Sequence, residues 1–275
     1  MMRLRAKHIK WGWTLSAALE MALKTVTTRP VEPVMLSQPI PVDHLPTPAL
    51  VLDRPIMDSN IQTMAKHLGR HSKGFRPHSK THKCPESAKQ QIAAGAVGIC
   101  TAKVSEAAVM ANAGIGSLLV TSPISTRDKA QVVNAIATEQ LELLLVVDSV
   151  EGMLAMQAET DEDKRIGLLL DLDASTGRTG LRDNDLLLRL LDDIQSDSRF
   201  YFAGVQHYAG HVMHVHDFEK RRDKSMRAWE RLADKFELLG QQGMRPEIVT
   251  GGGTGTFDID VTLEYLTDIQ VGSYI

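Results

Sequence analysis

The chain has 275 residues, 43% of them hydrophobic and 24% charged, and this apolar content excludes extensive disorder because it suffices for a core. A formal net charge of -3 argues against nucleic acid or an anionic membrane as a partner, and no apolar run of about 18 residues predicts a membrane-spanning helix. Two cysteines without a CxxC pair exclude a disulfide framework, so we expect a reducing cytoplasmic location.

Residues 1–45 are predicted to be an N-terminal extension with a linker. Basic residues precede the apolar stretch from Trp11 to Leu23, as in a targeting signal, but Glu20 interrupts that stretch and no cleavage site follows. Six prolines between Thr28 and Pro48 hold the chain extended and exclude a long helix. We therefore place one folded domain at 46–275.

From Pro48 onward, short β-branched runs alternate with helical patterns. Runs such as IGLLLDL are continuously apolar, as strands buried on both faces require. The alternation predicts a parallel sheet, and eight strands in about 200 residues indicate a (β/α)8 barrel of the TIM type. An open doubly wound sheet is the alternative, but no GxGxxG motif follows the first strand. The predicted strands are 74–78, 97–101, 117–121, 143–147, 166–172, 202–206, 247–250 and 268–274, with a further strand-like run at 49–53. The predicted helices are 54–68 with Gly69 as C-cap, 86–94, 104–112, 127–138, 150–159, 184–195 and 218–239.

The first strand leads into a basic segment, RPHSKTHK. In such barrels the functional side chains lie at the carboxyl ends of the strands, and alternation places Arg76, His78 and Lys80 on one face. A lysine in a barrel mouth has a lowered pKa unless it is paired, and only a free amine attacks a carbonyl. Lys80 is therefore a candidate Schiff-base lysine. Lys83 is the rival candidate, and a basic surface loop is the alternative interpretation.

The seventh strand is followed by the glycine-rich segment TGGGTGT. Glycines let backbone N–H groups close around an anion, and threonine hydroxyls add further donors. Phosphate is the favoured ligand, because barrels of this type bind phosphate at the loops after strands seven and eight. The segment is not a P-loop, since no GK[ST] follows, and a flexible turn is the alternative.

Charged and titratable residues also follow the fifth and sixth strands. Arg178 stands between glycines, where it either approaches a ligand or forms an ordinary loop salt bridge. The segment after the sixth strand contains several histidines, which could include a catalytic base or form a metal site. The spacing of these histidines matches no common zinc motif, which argues against the metal site. The four histidines are His207, His211, His214 and His216.

The motifs TPALVLD, RPHSKTHK, ICTAKVSEA, DLDASTGRTGL, QHYAGH, VTGGGTGT and VGSYI, in this order, resemble the D-threonine aldolase / D-serine dehydratase family. These are fold-type III pyridoxal-phosphate enzymes, related to the N-terminal domain of alanine racemase. The resemblance implies a lyase for a β-hydroxy-D-amino acid, a D-threonine aldolase, D-serine dehydratase or 3-hydroxy-D-aspartate aldolase, with pyridoxal 5'-phosphate as cofactor. An amino-acid racemase of the alanine racemase type and a non-catalytic pyridoxal-phosphate-binding protein are the alternatives.

The resemblance also implies a role for each matched residue. Lys80 would form the internal aldimine, and Arg178 would face the cofactor ring near its phenolic oxygen. His214 would take the proton of the substrate β-hydroxyl. The other predicted cofactor-binding residues are His78, Tyr208, Thr250, Gly253, Thr254, Gly255 and Tyr274.

The family has a second, mostly β domain after the barrel. The resemblance implies that this domain carries the ligands of a divalent metal, zinc or manganese, and contributes to a homodimer. The chain ends at Ile275, inside the predicted eighth strand. We therefore expect the C-terminal β domain to be missing from this chain, its metal to remain unassigned, and the activity of the chain by itself to be impaired.

Overall fold

A computed structural model describes residues 40–174 and 176–275. The chain divides into two compact units, of which the second is Leu52–Ile275. In the first unit, the described residues form a short 3-10 helix, Val42–His44, and are mostly exposed. The strand-like run at 49–53 forms no strand, and its apolar side chains are exposed to solvent. Most of the predicted extension lies outside the described residues, so the domain boundary stays a prediction.

Eight parallel strands form one sheet in the second unit, as the alternation predicts. The strands are β1 Gly74–Phe75, β2 Ile99–Thr101, β3 Ser117–Val120, β4 Glu142–Val147, β5 Ile166–Leu172, β6 Phe200–His207, β7 Ile248–Gly251 and β8 Asp268–Ile269. Their order is β1-β8-β7-β6-β5-β4-β3-β2. The two end strands meet through a parallel bridge between His78 and Cys100, and the Cys100 N–H donates to the Pro77 carbonyl at 2.8 Å. The sheet therefore closes into the predicted (β/α)8 barrel.

Helices connect these strands. They are α1 Arg54–Arg70, α2 Pro85–Ala93, α3 Val104–Asn112, α4 Arg127–Ile136, α5 Val150–Glu159, α6 Asn184–Gln195, α7 Phe218–Glu230, α8 Ala233–Gln241 and the short α9 Phe257–Asp260. The predicted helix 218–239 is wrong in its middle, because the chain bends between α7 and α8 so that both Trp229 and Leu232 enter the core. None of the helices among the described residues is long and apolar enough to cross a bilayer.

The end of α1 also differs from the prediction. Gly69 lies within the helix, and the residue that takes the left-handed conformation is Ser72, with φ 56°. The Lys73 N–H then donates to the Leu68 carbonyl at 3.0 Å, which is the bond of a Schellman motif. The helix therefore ends through backbone geometry at Ser72, and not at the glycine.

Strands β1 and β8 are shorter than predicted. Beyond Phe75 the regular strand ends, although the Arg76 and His78 N–H groups still reach the Ile269 and Val271 carbonyls at 3.1 and 2.7 Å. After Ile269 the chain turns toward the loop behind β7, where the Gly272 N–H donates to Thr254 Oγ1 at 3.0 Å. The prediction that the chain ends inside the eighth strand is therefore wrong.

Both faces of the sheet are apolar. Along β4, Leu144 and Val146 belong to a cluster inside the barrel, whereas Leu143 and Leu145 pack between the sheet and the helices. This double burial explains why the strands read as continuous apolar runs. Because all strands are parallel, their carboxyl ends meet at one end of the barrel.

Candidate active site

A cavity of about 310 Å³ lies at the carboxyl ends of the strands. It is lined by segments that follow β1, β2, β3, β5, β6, β7 and β8. The structure brings together in its wall most of the site residues predicted from the sequence. These are His78, Lys80, Arg178, Tyr208, His214, Gly253, Thr254 and Gly255.

Lys80 reaches the cavity from a 3-10 turn and not from a strand. The turn Ser79–Thr81 begins at His78, whose Nδ1 accepts a hydrogen bond from the Lys80 N–H at 3.4 Å. Because β1 already ends at Phe75, strand alternation is the wrong reason for the inward direction of this lysine. The prediction that Lys80 faces the barrel mouth nevertheless holds.

Two cations share the same aromatic neighbour in the cavity. Lys80 Nζ and Arg178 Cζ each lie 5.7 Å from the centre of the Tyr208 ring. Partial burial lowers the pKa of Lys80, and the positive charge of Arg178 lowers it further. These surroundings make the Lys80 ammonium easier to deprotonate, and the free amine is the nucleophilic form.

Lys83, the rival candidate, points elsewhere. Its Nζ lies 3.5 Å from the Glu106 carboxylate, and its side chain is 65% exposed. Lys83 has a positive φ of 50°, which turns the chain away from the cavity before α2 begins. The structure thus separates the two lysines by their surroundings.

His78 forms a fixed, uncharged part of the wall. Its Nε2 lies 3.1 Å from Thr121 Oγ1, which itself donates to the Thr101 carbonyl at 3.1 Å. The hydroxyl proton is therefore used, so Nε2 is the donor and Nδ1 the acceptor. Burial lowers the pKa of His78 to about 3, and the nearby Lys80 and Arg178 charges act in the same direction. His78 is thus a neutral hydrogen-bonding residue near neutral pH.

Arg178 brings a positive charge that the described residues do not neutralise through an ion pair. It lies in a loop that bends at Gly177, with φ 69°, and at Gly180, with φ 103°. The Gly180 N–H donates to Asp148 Oδ2 at 3.0 Å, which fixes the far side of the loop. The guanidinium lines the cavity and forms an ion pair with no carboxylate of the described residues. It is therefore available to an anionic ligand.

The glycine-rich loop after β7 is held from behind by a buried carboxyl group. Thr256 Oγ1 donates to Asp260 Oδ2 at 2.5 Å, and the same carboxyl group accepts from Ser225 Oγ at 2.6 Å and from Trp229 Nε1 at 3.2 Å. Gly252 has φ 62° and lies so close to Asp260 that a Cβ would collide with the carboxylate. These bonds make the loop a built structure and not a flexible turn.

The front of the same loop presents unpaired N–H groups. The N–H groups of Gly253, Thr254 and Gly255 donate to no acceptor within the described part of the chain. All three residues line the cavity. Successive free N–H groups bind an anion, and a phosphate offers the matching acceptors. The geometry therefore supports the phosphate interpretation of this segment.

His214 is the histidine of the cluster after β6 that lines the cavity. A 3-10 turn, Gly210–Val212, follows the strand, and Met213 then packs against Gly253 and Gly255. Arg221 Nη1 donates to the Val215 carbonyl at 2.7 Å and holds the other side of the segment. The backbone on both sides of His214 is thereby held next to the glycine-rich loop, whereas the His214 residue itself is exposed to solvent.

The other three histidines do not line the cavity. His211 and His216 are exposed. His207 is buried with its Nδ1 3.1 Å from the Leu172 carbonyl, and burial lowers its pKa to about 4. No group of three or more potential metal-ligating side chains occurs among residues 40–174 and 176–275. The geometry thus separates the sequence cluster into one cavity residue and three residues with other surroundings.

The side chains of Thr250 and Tyr274 do not line the cavity, contrary to their predicted role. Thr250 Oγ1 donates to Asp268 Oδ1 at 2.5 Å and is fully buried between strands. The Tyr274 hydroxyl accepts from Gln91 Nε2 at 2.9 Å, and Gly272 occupies the wall instead. The predicted contact of these two side chains with a cofactor finds no support in this geometry.

Sequence reasoning missed three polar residues on the floor of the cavity, Asp171, Gln206 and Gln270. Asp171 and Gln206 are register partners on β5 and β6, and Asp171 Oδ2 has no partner within the described chain. Burial raises the pKa of Asp171 to about 6, although the hydrogen bond from Gln206 opposes this shift. The sequence did contain a signal for Asp171 and Gln206, because each is a polar residue near the carboxyl end of an otherwise apolar strand.

Comparison with known proteins identifies the family. Residues 52–275 match the family described as alanine racemase, N-terminal domain. The chain belongs to the alanine racemase N-terminal domain family. The family match and the eight-stranded barrel together confirm the fold predicted from the sequence.

Relatives of this family member include enzymes with described activities. The D-threonine aldolase of Arthrobacter sp is 34% identical over 235 residues, which cover 85% of this chain and 62% of the relative. The 3-hydroxy-D-aspartate aldolase of Paracoccus denitrificans (strain Pd 1222) is 28% identical, with 84% and 60% covered. The crystal structure of D-threonine aldolase from Filomicrobium marinum gives a TM-score of 0.80 at 34% identity, with 86% and 64% covered. These matches confirm the resemblance drawn from the motifs, and the chain spans about 60% of the length of the curated relatives.

Proposed function

We propose that this protein is a pyridoxal-phosphate-dependent lyase that cleaves a β-hydroxy-D-amino acid. The observation that carries the proposal is the meeting of four groups in one cavity: the Lys80 amine, the Arg178 guanidinium, the free N–H groups of the glycine-rich loop, and His214. Similarity to a D-threonine aldolase and a 3-hydroxy-D-aspartate aldolase supports the same reaction class.

The cavity has residues that suit both the phosphate and the aldehyde of pyridoxal 5'-phosphate. The unpaired N–H groups of 253–255 would hold the phosphate, and the lowered pKa of Lys80 suits attachment of its amine to the aldehyde carbon. Arg178 would balance negative charge on the ring oxygen. When bound, the cofactor would supply an electron sink for cleavage at the substrate Cα.

The position of His214 suits proton removal from the substrate hydroxyl. In an aldol cleavage of D-threonine, His214 would take the β-hydroxyl proton, the Cα–Cβ bond would break, and the hydroxyl carbon would leave as the carbonyl of acetaldehyde. The electron pair left on Cα would then accept a proton, and glycine would be released. Imidazole suits this task because it ordinarily titrates near neutral pH.

Several finer points stay predictions. D-Serine dehydration, racemisation and cofactor binding without turnover are the alternatives to aldol cleavage. A divalent metal and a homodimer rest on the family resemblance. A cytoplasmic location is supported by the two free cysteines, one of them buried.

The products of the reaction distinguish these functions. The protein is loaded with pyridoxal 5'-phosphate and incubated with D-threonine, L-threonine, D-serine and D-alanine in the presence and absence of Mn²⁺. We expect glycine and acetaldehyde from D-threonine and none from L-threonine. Pyruvate from D-serine would indicate a dehydratase, and L-alanine from D-alanine a racemase. Cofactor binding without any product, also after addition of the C-terminal β domain that the family resemblance implies, would contradict the lyase proposal.

The glycine-rich loop gives a direct test of the phosphate site. Gly253→Asp is expected to weaken pyridoxal 5'-phosphate binding about 100-fold or more, because like charges placed side by side cost several kcal/mol. The fold should tolerate the change, since a Cβ at Gly253 first meets the end of the flexible Met213 side chain at 3.1 Å. Fluorescence titration with the cofactor measures the effect.

Two further variants control this test. Gly253→Asn adds a similar volume without the charge and should weaken binding much less. Gly240→Asp adds the same charge on α8, where a Cβ meets nothing within 4 Å, and should leave binding unchanged. Equal affinity of Gly253→Asp and the unmodified protein would contradict the phosphate assignment.

A further inference from the structure

Two buried glutamine side chains meet on the floor of the cavity. Gln206 is the last residue but one of β6 and Gln270 follows β8 directly, and they are only 3% and 7% exposed. Gln270 Nε2 donates to Gln206 Oε1 at 3.0 Å. Since both side chains line the cavity, the orientation of their amides determines whether a ligand meets a hydrogen-bond donor or an acceptor there.

The orientation of the Gln206 amide is fixed by two acceptors. Its Nε2 donates to Asp171 Oδ1 at 2.9 Å and lies 3.3 Å from the Thr121 carbonyl. A backbone carbonyl only accepts hydrogen bonds, so the NH₂ of Gln206 must face this side. The oxygen of Gln206 must therefore face Gln270.

The orientation of the Gln270 amide follows from that of Gln206. Gln270 must present its NH₂ to the Gln206 oxygen, and the same NH₂ lies 3.3 Å from Thr250 Oγ1. The Thr250 hydroxyl proton is already donated to Asp268 Oδ1 at 2.5 Å, so the hydroxyl oxygen acts as an acceptor here. A flipped Gln270 amide would lose both bonds.

The consequence is an unused acceptor on the cavity floor. Gln270 Oε1 accepts no hydrogen bond from any described residue. Buried polar groups are almost always hydrogen-bonded, and leaving one unpaired is costly. The side chain is more than nine-tenths buried and lines the cavity, so its oxygen is available to a hydrogen-bond donor of a ligand bound there.

We propose that Gln270 accepts a hydrogen bond from the protonated ring nitrogen of pyridoxal 5'-phosphate, and that Gln206 is the positioning residue that fixes its amide. This inference rests on the cofactor of the proposed function. The phosphate and the aldehyde of that molecule are assigned to the glycine-rich loop and to Lys80, and its ring oxygen carries negative charge. The ring nitrogen, when protonated, is the donor that remains.

An amide oxygen in this place selects the protonation state of the ring. An unprotonated ring nitrogen would direct a lone pair at the Gln270 oxygen, which is repulsive, whereas a protonated nitrogen forms a charge-assisted hydrogen bond. Asp171, Gln206 and Gln270 form a row of hydrogen bonds. The Asp171 carboxylate polarises the Gln206 amide and, through it, the Gln270 amide, which strengthens the preference for a protonated ring nitrogen. The floor of the cavity thus holds the ring in the more electron-withdrawing form.

Binding of a carbon analogue of the cofactor tests the inference. In 1-deaza-pyridoxal phosphate a C–H replaces the ring nitrogen, so the analogue keeps the phosphate and the aldehyde but donates no such bond. We expect the unmodified protein to bind pyridoxal 5'-phosphate about 10- to 100-fold more tightly than the analogue, which is the range for a hydrogen bond to a charged group. The ¹⁵N resonance of ring-labelled cofactor bound at neutral pH should be that of a pyridinium.

Variants show whether Gln270 and its orientation cause the preference. Gln270→Met should bring the ratio of the two affinities close to one, Gln270→Glu should keep or increase it, and Gln206→Met should reduce it because the amide can then flip. Gln157→Met is the matched control, since this amide also donates to a carboxylate, that of Asp197, but lies on α5 outside the barrel. It should behave as the unmodified protein.

The outcomes separate this inference from the proposed function. Equal binding of the two ligands by the unmodified protein, a neutral ring nitrogen, or an unchanged ratio in Gln270→Met would overturn the role of Gln270 while leaving the cofactor in place. Failure of the unmodified protein to bind pyridoxal 5'-phosphate at all would overturn the proposed function and this inference together.

Discussion

Lys80→Ala is expected to abolish covalent attachment of pyridoxal 5'-phosphate, whereas Lys83→Ala is expected to retain it. The expectation follows from the surroundings of the two amines: Lys80 lines the cavity beside Arg178 with a lowered pKa, and Lys83 is exposed next to Glu106. Only a deprotonated amine attacks an aldehyde, so the lowered pKa of Lys80 and its place in the cavity favour this lysine for the bond. We expect the visible absorbance band of lysine-bound cofactor to be absent in Lys80→Ala.

Mass spectrometry identifies the attached residue. After reduction with borohydride and proteolysis, the added mass should lie on the peptide containing Lys80. Non-covalent binding should persist in Lys80→Ala, because the glycine-rich loop and Arg178 remain. A reduced cofactor found on Lys83 would refute the assignment, and loss of all binding in Lys80→Ala would show that this side chain has a structural role.

His214→Asn is expected to lower aldol cleavage of D-threonine by about 10²- to 10⁴-fold, which is the usual cost of removing a general acid or base. His214 lines the cavity and is held there by Met213, which packs on Gly253 and Gly255. Cofactor attachment should be unchanged, because Lys80 and the phosphate loop are intact. The rate of acetaldehyde formation, compared with that of the unmodified protein and measured with the C-terminal β domain present in both, gives the effect.

Two neighbouring histidines provide matched controls. His211→Asn and His216→Asn make the same chemical change at exposed positions outside the cavity wall and should retain most of the turnover. If His214→Asn cleaves D-threonine at a near-normal rate, the base lies elsewhere, and His211 is the next candidate. If all three variants lose a bound metal together, the histidine segment is a metal site.

The sequence by itself determined the architecture of the barrel. Strands such as β4 and β5 are buried on both faces, so their apolar runs are continuous and were recognisable without any structure. The TGGGTGT segment also predicted an anion-binding loop, because its glycines allow close approach of the backbone to a ligand. The apolar strands and the glycine-rich segment each depend on a short stretch of chain, so the local sequence is enough to predict them.

Only the tertiary structure decided how the cavity is built. Lys80 turns inward through the 3-10 turn that begins at His78, which strand alternation does not describe. His214 is selected from four histidines by the contact of Met213 with a loop about 40 residues away in the chain. The Gln270 amide is oriented through Gln206, which is 64 residues distant. Such contacts join residues that are far apart in sequence, so no local sequence pattern predicts them. Closure of the barrel brings these residues together.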